Sequence, residues 1–213
     1  MIKQIPNLIT LCNLVCGCIS ITLTMNNDIL AAGWFVLAAT VFDFFDGFIA
    51  RLLKADGEMG KQLDSLCDVV SFGVAPGLIW YTIMQTHGMC DTGGFCINKY
   101  VWLAIPLSAA YRLAKFNIAT RQTTGFIGVP TPITGIMYAG IGIAIQQQSY
   151  ASEWYLNFYV MLLLHLLTGF LAISELPMLA MKFKKQDKEN PYKIAFLIAS
   201  VLLAVLLRWD AFA

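Results

Sequence analysis

The sequence predicts an all-α protein, a polytopic transmembrane helix bundle of six to eight spans, with seven as the best count and the N-terminus cytoplasmic. Three observations predict it. Of 213 residues, 58% are hydrophobic and only 13% charged, far from the balance of a soluble domain. Apolar runs of about the twenty residues that cross a bilayer fall near 8-24, 29-51, 62-84, 100-118, 131-147, 156-179 and 192-208. The basic residues then divide unevenly between the two sides of those runs. With the N-terminus inside, Lys3, Arg51, Lys54, Lys61, Arg112, Lys115, Arg121, Lys182, Lys184, Lys185, Lys188 and Lys193 are cytoplasmic, and only Lys99 and Arg208 are outside.

No Pro/Gly/Ser linker, low-complexity tract or internal repeat divides the chain, so residues 1-213 read as a single membrane-embedded domain. The first run is expected to be permanent. It follows one basic residue, is interrupted by Asn13, and shows no small-residue cleavage site. It opens on Pro6-Asn7, a helix-start signal, and carries Asn7, Thr10 and Asn13 on one stripe. Two readings stand for that stripe: hydrogen bonding between helices, and contact with a ligand.

The second and third runs contain the core of the chain, residues 43-68. It reads Asp43-Phe-Phe-Asp46-Gly47-Phe-Ile-Ala50-Arg51, eight residues to Gly60, then Lys-Gln-Leu-Asp64-Ser-Leu-Cys-Asp68. A carboxylate inside a membrane segment is costly and marks a functional site by default. The turn at 56-60 is expected to bring the two segments together as neighbouring antiparallel helices. Ser71-Phe72-Gly73-Val-Ala75-Pro76 follows, a small-residue stretch suited to close helix approach and expected to kink at Pro76.

The fourth run ends Tyr111-Arg112-Leu-Ala-Lys115-Phe-Asn117. Lys115 and Arg121 suit ordinary interfacial anchoring, whereas Arg112 lies deeper and suggests anion binding. Phe126 to Pro132 is a rigid re-entry into the fifth run, placed to wall a cytoplasmic cavity. His165 in the sixth run is expected to be a helix-packing residue. The segment from Met181 to Lys193 is basic enough to be drawn to anionic lipid. Cys12, Cys16, Cys18 and Cys67 read as small packing residues. Cys90 and Cys96 flank a short loop on the outer side, where a disulfide is chemically allowed, and the sequence leaves that pairing open.

Residues three, four and seven apart share a helix face, so Asp43, Asp46, Gly47 and Ala50 form one stripe, and Asp64 and Asp68 another. Four converging carboxylates repel one another unless cations intervene. Oxygen ligands without a nearby His or Cys set favour magnesium or manganese over zinc, and two such ions match four acids. A pair of oxygen-bound cations suits displacement at phosphorus. The missing side chains at Gly47, Ala50 and Gly60 leave room for a nucleotide or pyrophosphate near the backbone.

The pattern Asp43-x2-Asp46-Gly47-x2-Ala50-Arg51-x8-Gly60-x3-Asp64-x3-Asp68 resembles, without gap or substitution, the signature of the CDP-alcohol phosphotransferase family. Pro6-Asn7-Leu-Ile-Thr10-Leu-Cys-Asn13, Leu63 to Pro76, Arg112-Leu-Ala-Lys115-Phe116-Asn117 and Gly128-Val-Pro130-Thr-Pro132 are similar to its integral-membrane, serine-using branch. That similarity covers about the first 135 residues and, more loosely, Ser174 to Pro177. Lys115 and Val129 are mild departures, standing where the branch often has Arg and Leu.

The resemblance implies a homodimeric enzyme of phospholipid biosynthesis in the cell membrane, its site facing the cytoplasm. It implies transfer of the phosphatidyl group from CDP-diacylglycerol to the hydroxyl of L-serine, giving phosphatidylserine and CMP, with Mg2+ or Mn2+ required and no nucleic acid involved. Carried over residue by residue, it makes Asp43, Asp46 and Asp64 ligands of one metal and Asp43, Asp64 and Asp68 ligands of the other. Asp68 is also the expected general base. Gly47, Ala50, Arg51 and Gly60 are expected to form the CDP pocket, with Asn7 nearby, and Arg112 to hold the serine carboxylate with its planar fork. Other acceptors of the same family, glycerol 3-phosphate or inositol phosphate, carry a phosphate dianion and call for a richer basic cluster than Arg112 and Lys115. A cation transporter would place its acids nearer mid-membrane and echo them in a second half of the chain, which this sequence does not do.

Overall fold

The computed structural model describes residues 4-55, 57-88, 98-118, 126-148, 152-174 and 177-178. The expected seventh span, the basic segment from Met181 to Lys193, Arg121 and the Cys90/Cys96 pair lie outside the described residues.

The protein is a helical membrane bundle. Six helices match the first six expected spans: α1 (Ile5–Met25), α2 (Ile29–Leu53), α3 (Glu58–Thr86), α4 (Ala104–Ile118), α5 (Thr131–Gln146) and α6 (Phe158–Ile173). The first three, of 21, 25 and 29 residues, are long and apolar enough to cross a membrane. The other three are shorter, 15, 16 and 16 residues.

Local chemistry sets the ends. Pro6 occupies the first turn of α1, where a missing N–H costs nothing. Asp28 caps α2 by accepting from the Ala31 N–H at 3.1 Å. Lys54, at φ 47°, closes α2 in the left-handed conformation, and Gly57 then opens α3.

Helix α3 is composite. An α-helical stretch (Glu58–Asp68) runs into one turn of π-helix (Val69–Val74) and returns to α-helix (Ala75–Thr86). The distortion expected at Pro76 therefore sits just ahead of it. Pro76 has no N–H for the carbonyl of Phe72, and its ring crowds that carbonyl, so widening the preceding turn relieves both problems. The π turn packs against α4, and Asp68 stands at its leading edge.

Helices α1 and α2 form a hairpin, α5 packs on α2, and α6 packs on α4. Val36, Ala39, Phe72, Ala75, Ile79 and Ala139 are fully buried between them. Gly17 allows the closest approach. A Cβ there would lie 2.9 Å from the Ser71 Cα, so the missing side chain is what lets α1 lie on the π turn.

The re-entry segment Phe126 to Pro132 holds an element the hydropathy pattern did not predict. Phe126–Ile127 pairs antiparallel with Pro177–Met178. Gly128 follows at φ 71°, where a Cβ would stand 2.7 Å from the Ala172 carbonyl. The segment is thus clamped to the end of α6, with Val129 N–H donating to the Leu171 carbonyl at 3.3 Å.

His165 is buried in α6, its Nδ1 2.6 Å from the Met161 carbonyl, between the rings of Trp80 and Tyr138 at centroid distances of 5.5 and 4.9 Å. It packs helices, as expected.

Candidate active site between three helices

The two halves of the aspartate motif meet, though not by simple antiparallel packing of α2 on α3. The N-terminal part of α3 lies against α1, and α1 also carries most of the contact with α2. Helix α2 packs on the later part of α3, from the π turn onwards, and much less on Glu58–Asp68; towards the shared turn a cavity lies among α1, α2 and α3.

That cavity has a volume of about 460 Å³. Asn7 and Thr10 line it from α1, Asp46, Gly47 and Ala50 from α2, and Gly60, Lys61 and Asp64 from α3. Nothing comes within 4 Å of where a Gly47 Cβ would be, so that backbone is open to the cavity. At Gly60 a Cβ would stand 3.2 Å from Asn7 Oδ1, which makes this the narrow side. Of the residues expected around a nucleotide, Asn7, Gly47, Ala50 and Gly60 share this lining. Arg51 is exposed near the end of α2 and Arg112 is buried in α4, and neither belongs to it.

Asp64, which lines the cavity, also belongs to a triad with Asp43 and Asp68, which lie outside that lining, and each offers a carboxylate oxygen within 4.8 Å of the other two. At that spacing each charged pair repels by at least ~3 kcal/mol for an effective dielectric of about 20. Asp43 and Asp64 are half-buried and Asp68 is buried, so water screens them poorly. Asp46 stands beside this triad with Oδ2 buried and without a hydrogen-bond partner. A hard divalent cation fits this donor set, since it neutralises the triad and gives an orphaned oxygen a ligand.

The neutral polar stripe of α1 turns towards these acids. Asn13 donates from Nδ2 to Asp68 Oδ1 at 3.3 Å, while the Thr10 hydroxyl donates to the Pro6 carbonyl at 3.0 Å. Both α1 residues are buried. On the α4 side, Asn117 Nδ2 donates to Ser65 Oγ at 2.8 Å, and Lys61 Nζ donates to the Asn117 carbonyl at 3.0 Å. These contacts fix the turn of α3 that carries Asp64 and Asp68. Lys61 and Phe116 were missed as cavity residues because their spacing along the chain gives no hint that α3 and α4 meet there.

Arg112 is 8% exposed. Its Nη1 donates to Thr131 Oγ1 at 3.4 Å, while Nε is buried without a partner. An arginine so placed has donor capacity to spare for an anion.

Comparison with known proteins agrees with this arrangement. The model of the CDP-alcohol phosphatidyltransferase family matches residues 3–173. The chain is 36% identical over 134 residues to a CDP-diacylglycerol–serine O-phosphatidyltransferase of Bacillus subtilis, covering 63% of this chain and 72% of that protein. It is 36% identical over 138 residues to the protein of that name from Helicobacter pylori, covering 62% and 54%. An archaetidylserine synthase of Methanothermobacter thermautotrophicus is 34% identical over 135 residues, covering 62% and 54%. The chain thus spans about half the length of two of these relatives. Since the family match runs through every helix that builds the cavity and the acidic centre, the chain belongs to the CDP-alcohol phosphatidyltransferase family.

Proposed function

We propose that this protein transfers the phosphatidyl group of CDP-diacylglycerol to the hydroxyl of L-serine, releasing phosphatidylserine and CMP. The observation that carries the reading is an open, glycine-floored cavity that shares Asp64 with a carboxylate triad. Two relatives bearing the name of that serine transferase support the choice of acceptor.

The nucleotide enters between α1, α2 and α3, where Gly47 leaves the helix backbone accessible and Asn7 and Gly60 form the facing wall. Two divalent cations of the magnesium or manganese type, held by Asp43, Asp46, Asp64 and Asp68, would neutralise the diphosphate oxygens when bound. Asp68 accepts the proton of the serine hydroxyl. The serine oxygen bonds to the lipid phosphorus as the bond from that phosphorus to the bridging oxygen breaks, and CMP leaves with the electron pair. Arg112 holds the serine carboxylate, and its buried, unpartnered Nε is the observation behind that role. Arg51, at the exposed end of α2, would meet the outer phosphate or the lipid surface. The site faces the cytoplasm, consistent with the distribution of basic residues along the chain. The active form is a homodimer.

A second reading keeps the chemistry and changes the lipid. The similarity to an archaetidylserine synthase supports an ether-linked CDP-lipid as an equal donor, since the polar site described here touches only the head group.

The test is a panel of acceptors. Purified protein is given each CDP-lipid with L-serine, glycerol 3-phosphate or inositol phosphate, and CMP is measured. Serine alone should support release, and release with another acceptor but not with serine would overturn the assignment.

A further inference from the structure

Asn13 has no charge, lies a full helix away from the motif, and is completely buried. Its side chain nevertheless makes one hydrogen bond, from Nδ2 to Asp68 Oδ1 at 3.3 Å. Asn13 Oδ1 is buried with no partner. The amide orientation is therefore set by Asp68 alone, because turning it over would press a carbonyl oxygen against a carboxylate oxygen.

Two further contacts hold the Asn13 backbone in place. Its carbonyl accepts from Ser71 Oγ at 3.1 Å, and Gly17, one turn further on, lets the chain around Ser71 come close. Asn13 thus stands on a part of α1 locked to the π turn that begins just after Asp68. A side chain serving only as a tie between helices does not need a carboxylate of the acidic triad as its single partner.

We propose that Asn13 is a positioning residue of the acidic centre: its side-chain N–H fixes the rotation of the Asp68 carboxylate, so that Asp68 meets the divalent cation and the acceptor hydroxyl in one orientation. The inference rests on the functional reading above for the hydroxyl, and on the carboxylate triad alone for the cation. Helix α1, which contributes no acid, thereby orients an acid of α3. Partners of this kind are commonly worth 10- to 100-fold in metal affinity or rate.

The test compares Asn13→Leu, which keeps the branched shape at a larger volume and removes the donor, with Ser71→Ala, which removes only the tie to the Asn13 backbone. Mn2+ binding to purified protein is followed by electron paramagnetic resonance without substrate, alongside melting temperature and serine-dependent turnover. Asn13→Leu should weaken Mn2+ binding about 10-fold and lower kcat about 10- to 100-fold while leaving KM for the CDP-lipid unchanged. Ser71→Ala should lower the melting temperature and leave Mn2+ affinity as it was. Equal effects of the two variants on Mn2+ affinity, or an Asn13→Leu protein that binds Mn2+ like wild type, would overturn the proposal. Should Asn13→Leu not fold, Asn13→Ser is measured in the same way, and unaltered Mn2+ binding there overturns it equally. Wild-type protein that binds Mn2+ yet releases no CMP with serine would defeat the functional reading, while the Mn2+ comparison still decides the role of Asn13.

Discussion

Arg112 on α4 donates from Nη1 to Thr131 Oγ1 on α5 at 3.4 Å, and the same guanidinium leaves Nε buried and unpartnered. One edge of the fork is anchored and the rest is held ready. Arg112→Lys keeps the charge but loses the planar pair of donors, and Arg112→Ala loses both. Apparent serine affinity should fall about 10-fold in the first and up to about 100-fold in the second, in line with ~1.5–3 kcal/mol for a charged hydrogen bond. Thr131→Val should cost less than either. Initial rates against serine concentration check this, and an unchanged serine KM in an active Arg112→Ala protein removes the assignment.

Gly47 separates fold from function. An added Cβ meets nothing within 4 Å, and alanine is favoured over glycine inside a helix by roughly 0.5–1 kcal/mol. Gly47→Ala should melt no lower than wild type and bind CDP-lipid more weakly, and Gly47→Leu should block the cavity outright. Equilibrium binding of a CDP nucleotide, read against melting temperature, tests the pair. Wild-type nucleotide affinity in Gly47→Leu would place the nucleotide elsewhere.

Gly17 should behave in the opposite way. Its missing Cβ would sit 2.9 Å from the Ser71 Cα, so Gly17→Val must push α1 away from the π turn. Overpacking of this kind costs about 1–3 kcal/mol. Thermal denaturation in detergent should show the loss, with activity falling because Asn13 shifts away from Asp68.

Most of this site is legible in the sequence, and the residues that escaped share a cause. Asp43, Asp46, Asp64 and Asp68 declare themselves because an acid in an apolar run has few structural excuses, and helical spacing puts them on two stripes. Six expected spans appear as helices for the same reason: twenty-residue hydropathy needs no knowledge of tertiary contact. What periodicity does not encode is which helix lies between which. The cavity is lined by α1, α2, α3 and Phe116 of α4 together, so Lys61 and Phe116 become its lining through an arrangement no single segment specifies. Asn13 was visible as part of a polar stripe, but its partner, 55 residues away, was not. The π turn at Val69–Val74 was readable only as a disturbance near Pro76.

The carboxylate triad makes a prediction about stability that runs against intuition. Asp68→Asn removes one charge from three oxygens lying within 4.8 Å, so metal-free protein should become more stable. If Asp68 is the base proposed above, turnover should fall by ~10²- to 10⁴-fold. Wild-type protein should instead gain stability from Mg2+ or Mn2+, roughly 2.7 kcal/mol at a concentration 100 times Kd, and the variant should gain less. Melting curves with chelator and with added metal give both numbers. A metal-free Asp68→Asn protein that melts well below wild type would contradict the repulsion described here.

The most direct measurement of the central claim is mass-spectrometric detection of the lipid product. Purified protein is incubated with CDP-diacylglycerol, L-serine and Mn2+, with matched samples lacking serine or containing a chelator. Phosphatidylserine and CMP should appear in equal amounts in the complete mixture and in neither control. Absence of phosphatidylserine from the complete mixture, or its undiminished formation in the presence of chelator, would contradict the account.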